Sequence, residues 1–407
     1  LTIADSLKEN ANAIVRLDQT DIIIASQRSM NIKNHRIVTV LNEKGIRAIN
    51  AVESYNKRSS VKNIEAIVYD AFGNEIKKIK RKDFKDVSAA DGATLASDAR
   101  YIYLDYTPIS YPFTIVYDSE TETSTTALIP RWYPIENYFV SLEKSILNVK
   151  YPSNLGFRKK ESQFLTFNIQ KTDETDTQIS YTANNILAQK PEDYSPAFSE
   201  LYPNVTMSLE YFNLEGIDGN AKDWKEYGKW FSEKILTETI LLPEETKAKI
   251  KTLVGNESDP IKKAKIVYQF MQAKSRYVSI QLGIGGFKPM LATDVDRLGY
   301  GDCKALSNYT RALLDVVAVP SYYTELYGDS DLMDIQEDFV SIQGNHVVLC
   351  VPDQDKYVFL ECTSQSNPFG YQANFTDNRK VIVIKPEGGE IIRTKIYESK
   401  DNTQFFR

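Results

Sequence analysis

Cys303 stands in the run Gly299-Tyr300-Gly301-Asp302-Cys303-Lys304, and His346 follows in Gly344-Asn345-His346-Val347-Val348-Leu349. Glu361 comes next, in Phe359-Leu360-Glu361-Cys362-Thr363. A cysteine, a histidine and an acid in this order are the parts of a thiol nucleophile, its general base and the group that orients the base. The chain of 407 residues holds 2 histidines, so only His35 competes for the role of base.

The elements that must position these side chains can be read from local pattern. After Asp302-Cys303, the residues Leu306, Tyr309, Thr310, Leu313, Leu314 and Val317 recur at steps of three and four, an amphipathic helix that Pro320 stops. Cys303 therefore sits in its first turn, where unpaired N–H groups and the helix dipole favour a thiolate. Its backbone N–H can also help hold an oxyanion. Gly299 and Gly301 let the chain turn sharply into this helix. His346–Val351 and Tyr357–Thr363 read as two strands of a hairpin around the loop Pro352-Asp353-Gln354-Asp355. Folding about that loop sets Cys350 opposite Tyr357 and His346 opposite Glu361, on one face of the ladder. A one-residue slip would put Glu361 on the other face. At about 3.3 Å per residue this register holds Cys350 and Cys362 about 16 Å apart, too far for a disulfide. The plainer readings are a small buried hydrophobe for Cys303 and a core histidine satisfied by backbone for His346.

Composition narrows the function classes. The net charge is −6, which argues against nucleic acid as a partner, because phosphate binding needs a basic face. No apolar run is long enough to span a bilayer as a helix. With 2 histidines and 3 cysteines spread along the chain, no zinc site is expected. Asp329, Asp331, Asp334 and Asp338 do not have the spacing of a calcium loop and read as a solvated acidic loop. Lys77, Lys78, Lys80, Arg81 and Lys82 read as an exposed strand end. Trp132, Tyr133 and Tyr138 could make a sugar- or peptide-binding patch, with core packing the better reading. Gly283-Ile284-Gly285-Gly286-Phe287 lacks the Gly-Lys-Ser/Thr ending of a phosphate loop and reads as a turn or a wall of a cleft. The chain begins at Leu1 without a hydrophobic leader, and is expected to be a trimmed or mature form from which any signal peptide has gone.

The chain divides by texture into a domain over 1–205 and a second over 206–407. Short strand-like runs with turn signals fill the first: Asn63 to Lys80 as strand, turn, strand, then Tyr101–Tyr106, Phe113–Tyr117, Phe164–Gln170 and Gln178–Thr182. This pattern predicts a β-sandwich. Prolines at 191, 196 and 203 mark the crossover. Helices follow, one capped by Asp223, one opening at Pro243-Glu244 and one at Asp259-Pro260, and strands return after Tyr322.

The runs around Cys303, His346 and Glu361 resemble the transglutaminase-like core of the papain-type cysteine-enzyme superfamily, over about residues 215–390. The β-rich first half is similar to an uncharacterised domain fused upstream of such cores in exported bacterial proteins. The resemblance implies an α+β multidomain chain, an N-terminal β-sandwich followed by a cysteine-proteinase-fold core. It implies Cys303 as nucleophile, His346 as base and Glu361 as the acid, where the family usually has aspartate. It also calls for a second oxyanion donor, and Gln281 in Arg276-Tyr277-Val278-Ser279-Ile280-Gln281 is the candidate. The implied activity is thiol-dependent acyl transfer on peptide or amide bonds, hydrolytic or to a second amine, with a protein or peptide substrate and no cofactor. By the same analogy the protein is expected in the periplasm or otherwise exported. The alternative is a catalytically weak or inactive relative that serves as a binding or scaffold module at the bacterial envelope.

Overall fold

The structure is a computed structural model that describes residues 3–90, 94–372 and 374–401, the side chains of 94–96 and 281 excepted. It is a mixed α and β molecule in which sheet predominates. It falls into two compact units, one formed by Leu1–Ala89 with Asp98–Gly219, the other by Ala90–Ser97 with Asn220–Arg407.

In the first unit an eight-stranded sheet runs in the order Gln170–Glu174, Gln178–Ile186, Val140–Lys150, Ala13–Ser26, Ser29–Val40, Phe113–Thr123, Ser59–Tyr69, Glu75–Lys80. Neighbours are antiparallel except Ala13–Ser26 with Val140–Lys150, which is parallel. Ser59–Tyr69 and Glu75–Lys80 form the expected strand, turn, strand. The expected strand at Phe164–Gln170 is instead one helical turn over Phe164–Phe167, and the strand begins at Gln170. Gln163 (φ 58°) and Asn168 (φ 51°) bracket the turn in the left-handed region, which an extended run cannot contain. Phe164 meets Tyr181 edge-on at 5.4 Å, so its aromatic signal comes from packing and not from a ladder. Asn204–Leu209 pairs antiparallel with Phe157–Ser162, inside the first unit. Trp132 is core, its indole N–H donating to Ser145 Oγ at 3.0 Å and its ring stacked on Tyr181. Tyr138 packs edge-on against Phe198 and Tyr202.

In the second unit a five-stranded antiparallel sheet has the order Lys356–Leu360, His346–Asp353, Tyr322–Leu326, Lys380–Lys385, Gly388–Arg393. Helices Trp224–Trp230, Glu244–Val254, Pro260–Lys274, Ala292–Leu298 and Cys303–Asp315 pack beside it. Asp223 and Asp259 cap their helices by accepting backbone N–H bonds, as the sequence predicts. The core joins Ala264, Val267, Tyr268 and Met271 to Leu306, Tyr309 and Leu313 and to Leu349, Val351 and Leu360 of the sheet. The Cys303 helix ends at Asp315, ahead of Pro320, in a turn that places Ala318 at φ 55°. A short strand, Thr94–Ser97, adds in parallel to Ser279–Gln281 within this unit.

Candidate active site

Three elements of the second unit bring Cys303, His346 and Glu361 together. Asp302 caps the helix, its Oδ1 accepting from the N–H of Ala305 at 2.9 Å, and this fixes Cys303 as the first helical residue. The approach to the cap is tight. Gly299 takes φ +69° at the end of the preceding helix, and a Cβ on Gly301 would lie 2.7 Å from Cβ of Ala305. Tyr300–Gly301 is held by a parallel bridge to Arg276–Tyr277, and the N–H of Val278 donates to the carbonyl of Gly301 at 2.9 Å.

His346 opens its strand opposite Leu326. Its Nε2 lies 3.0 Å from Glu361 Oε2, which leaves Nδ1 as the ring nitrogen for the thiol. Phe375 stands against the ring at 5.0 Å, nearly edge-on. Cys303 is 7% exposed, His346 8% and Glu361 6%, so the three groups are shielded from bulk water. Burial alone would lower the proton affinity of His346. The Cys303 thiol and the Glu361 carboxylate outweigh burial and hold the imidazolium up to about 10. Burial works in the opposite sense on Glu361, but the bonds from His346 and Thr363 hold its carboxyl below the usual carboxylate range. This is the electrostatic signature of a ring kept charged beside a thiol.

The register of the hairpin differs from expectation. Cys350 faces Phe359 and Asp353 faces Lys356 across the two-residue turn Gln354-Asp355, a shift of two positions. Side chains alternate with a period of two, so the shift keeps Glu361 on the face of His346. All three cysteines are free thiols. Cys350 and Cys362 belong to different core clusters, and burial pushes both thiols up to about 12. His35 lies in the first unit and has its own partner, its Nδ1 2.7 Å from Asp118 Oδ1 across the ladder. Gln281 ends the strand Ser279–Gln281, and its side chain lies outside the described residues. Asp334 of the acidic loop accepts from the N–H of Lys380 and from Arg393. No cluster of three or more histidine, cysteine, aspartate or glutamate residues able to hold a metal occurs among the described residues. Among them no helix is long and apolar enough to cross a membrane.

Two supporting residues carry no motif of their own. Thr363 donates both its N–H and its hydroxyl to Glu361 Oε1, at 3.2 and 2.6 Å, fixing the carboxylate that engages the ring. Tyr268 donates to the backbone carbonyl of Glu361 at 2.8 Å from the helix Pro260–Lys274. Thr363 follows Glu361 by two positions and was within reach of a local argument. Tyr268 reads only as a core aromatic in its helical stripe.

The family model of a domain of unknown function, DUF3857, matches residues 26–190, less than half of the chain. No curated protein matches. Among solved structures, a "putative protease" from Parabacteroides distasonis ATCC 8503 is 14% identical, with 94% of this chain and 72% of that chain covered, at a TM-score of 0.68. A "putative cysteine protease" from Cytophaga hutchinsonii is 8% identical over 82% and 76%, at a TM-score of 0.23. An M1 zinc metallopeptidase from Deinococcus radiodurans is 8% identical over 60% and 53%, also at 0.23. The last two superpose too poorly to support an argument. With the Parabacteroides protein this chain shares its fold.

Proposed function

We propose that the chain is a thiol-dependent acyl-transfer enzyme acting on peptide or amide bonds, built on a transglutaminase-like core behind a sandwich-like β-domain. The observation that carries the reading is a single buried imidazole placed between a thiol at a helix start and a fixed carboxylate. The name of the Parabacteroides structure, a "putative protease", supports it.

In this reading the Cys303 thiolate attacks the amide carbonyl carbon, forming a C–S bond as the carbonyl electrons move to oxygen. The N–H groups at the helix start, with Gln281 as second donor, steady the oxyanion. As the C–N bond breaks, His346 gives its proton to the leaving amine, and a thioester remains. His346, now neutral, takes a proton from an entering water or amine, which attacks the thioester and releases Cys303. Glu361 keeps the ring oriented and favours its charged form. The chain's place in this reading is the cell envelope, by analogy with the exported proteins it resembles.

A second reading is a binding module that keeps the fold without turnover. The burial of Cys303 favours it, because a substrate carbonyl must reach a sulfur that is 7% exposed. Cys303→Ala separates the two: turnover of a peptide or amide substrate by wild type, lost in the variant, supports the enzyme. Equal turnover in both removes Cys303 from the chemistry.

A further inference from the structure

Behind the nucleophile lies a group of charges that acyl transfer does not use. Lys304, the residue after Cys303, is 6% exposed and pairs with the capping carboxylate of Asp302. Two turns along the same helix face is Arg311, whose Nε has no partner among the described residues. Facing them from the strand Tyr322–Leu326 are Tyr323 and Glu325, two apart and so on one side of the sheet. Tyr323 is fully buried and its hydroxyl also lacks a partner among the described residues. Its oxygen feels Glu325, Cys303, Asp302 and Arg311. Glu325 is partly buried, and its Oε2 accepts from Tyr227 at 2.8 Å, from the helix Trp224–Trp230. The flanking strands offer only Val347 and Ile382 at its level. The next residue on its strand, Leu326, faces His346.

A lysine this covered normally requires a charge partner. Lys304 pairs with Asp302 and lies within electrostatic reach of Glu325 on the sheet. With Glu325 ionised, the group Asp302, Lys304, Glu325 and Arg311 carries no net charge next to Cys303. With Glu325 protonated, it carries one net positive charge. Negative charge near a thiol disfavours the thiolate.

We propose that Glu325 is a positioning residue for Cys303 that acts through Lys304, and that its gain or loss of a proton tunes how readily the thiolate forms. The proposal rests on the acyl-transfer reading of the site and adds a control of it. Burial pushes the Glu325 carboxyl up to about 7 against the pull of Tyr227 and Lys304, so the change falls in the neutral range. Falling pH would then remove the Glu325 charge behind Cys303 and extend thiolate formation to more acid conditions.

The test is the pH profile of iodoacetamide alkylation at Cys303, read by mass spectrometry, with Cys350 and Cys362 as internal reporters of unfolding. Glu325→Gln mimics the protonated acid and moves the acid limb to lower pH, by about half a unit or more. Lys304→Gln moves it the other way, and Lys304→Arg restores the wild-type midpoint. Tyr227→Phe, which keeps Glu325 but removes the donor that favours its charged form, shifts the limb in the direction of Glu325→Gln. It serves if Glu325→Gln exposes Cys350 and Cys362. A midpoint that stays in place in a folded Glu325→Gln or Tyr227→Phe protein overturns the proposal. So does a shift of the same sign for Glu325→Gln and Lys304→Gln, which is what loosened packing alone would give. Failure of the acyl-transfer reading is distinct: the Cys303 profile would then be unchanged in His346→Ala.

Discussion

Replacing Glu361 by glutamine keeps the shape of the side chain and removes its charge. The introduced amide can still accept from Thr363, whose N–H and hydroxyl hold Oε1 at 3.2 and 2.6 Å, so the side chain should stay in place. What changes is the contact at 3.0 Å between Oε2 and His346 Nε2, where an amide N–H would meet a ring N–H. A hydrogen bond to a charged group contributes about 1.5–3 kcal/mol. At about 1.4 kcal/mol per tenfold, its loss lowers the rate of Cys303 alkylation by about 10- to 150-fold where the imidazolium is needed. The proton affinity of His346 also falls, because one of the two groups that hold it up to about 10 has gone. The window in which a thiolate stands beside a charged ring therefore closes at lower pH on its alkaline side. The assay is the pseudo-first-order alkylation rate at Cys303 at neutral pH in both proteins, where the charged ring favours the thiolate. A neutral-pH rate within about twofold of wild type would refute the argument that Glu361 governs the ring, since even a weak charged bond exceeds that.

Other outcomes follow from the same geometry. His346 is held up to about 10 from an ordinary 6.5, so its stabilisation is complete below about 6.5 and is lost as pH rises through about 10. Thermal melts should show a falling Tm over that interval, and a His346→Ala protein should show a flatter dependence. Glu361 has the opposite sign: its contribution is present above its ordinary 4.5 and is lost as pH falls through its depressed value, which acid titration of the melt would register. Gly301→Ala places a methyl 2.7 Å from Ala305 Cβ and should cost about 1–3 kcal/mol in denaturant unfolding while lowering Cys303 reactivity. Tyr268→Phe leaves the Glu361 carbonyl without its donor and should cost about 1–3 kcal/mol in the same measurement.

What the sequence revealed and what it concealed have physical causes. The Cys303 helix was legible because its cap, its apolar stripe and the residue that carries the chemistry lie close together along the chain, between Asp302 and Asp315. The meeting of His346 and Glu361 was legible through the hairpin, although the turn was two residues tighter than expected. Parity protected the inference: an even shift keeps the face, and an odd one would have lost it. The helical turn at Phe164–Phe167 was concealed by aromatic residues that pack from a turn as well as from a strand. The order of the eight-stranded sheet was out of reach, since it includes a parallel pairing of Ala13–Ser26 with Val140–Lys150, more than a hundred residues apart, and no local signal encodes it. The covered Lys304 was also out of reach. Composition places a lysine at the surface, and its ion pair with Asp302, two residues back at the helix cap, together with Glu325 of the sheet, allows it inside.

In the proposed chemistry Cys303 carries an acyl group through the reaction. Brief exposure to p-nitrophenyl acetate followed by peptide mass spectrometry tests it without knowledge of the natural substrate. The expected result is a burst of nitrophenol and an acetyl adduct on Cys303 that turns over, slow to form in His346→Ala and absent in Cys303→Ala. Acetylation confined to surface lysines, with Cys303 unmodified in the wild-type protein, would contradict it.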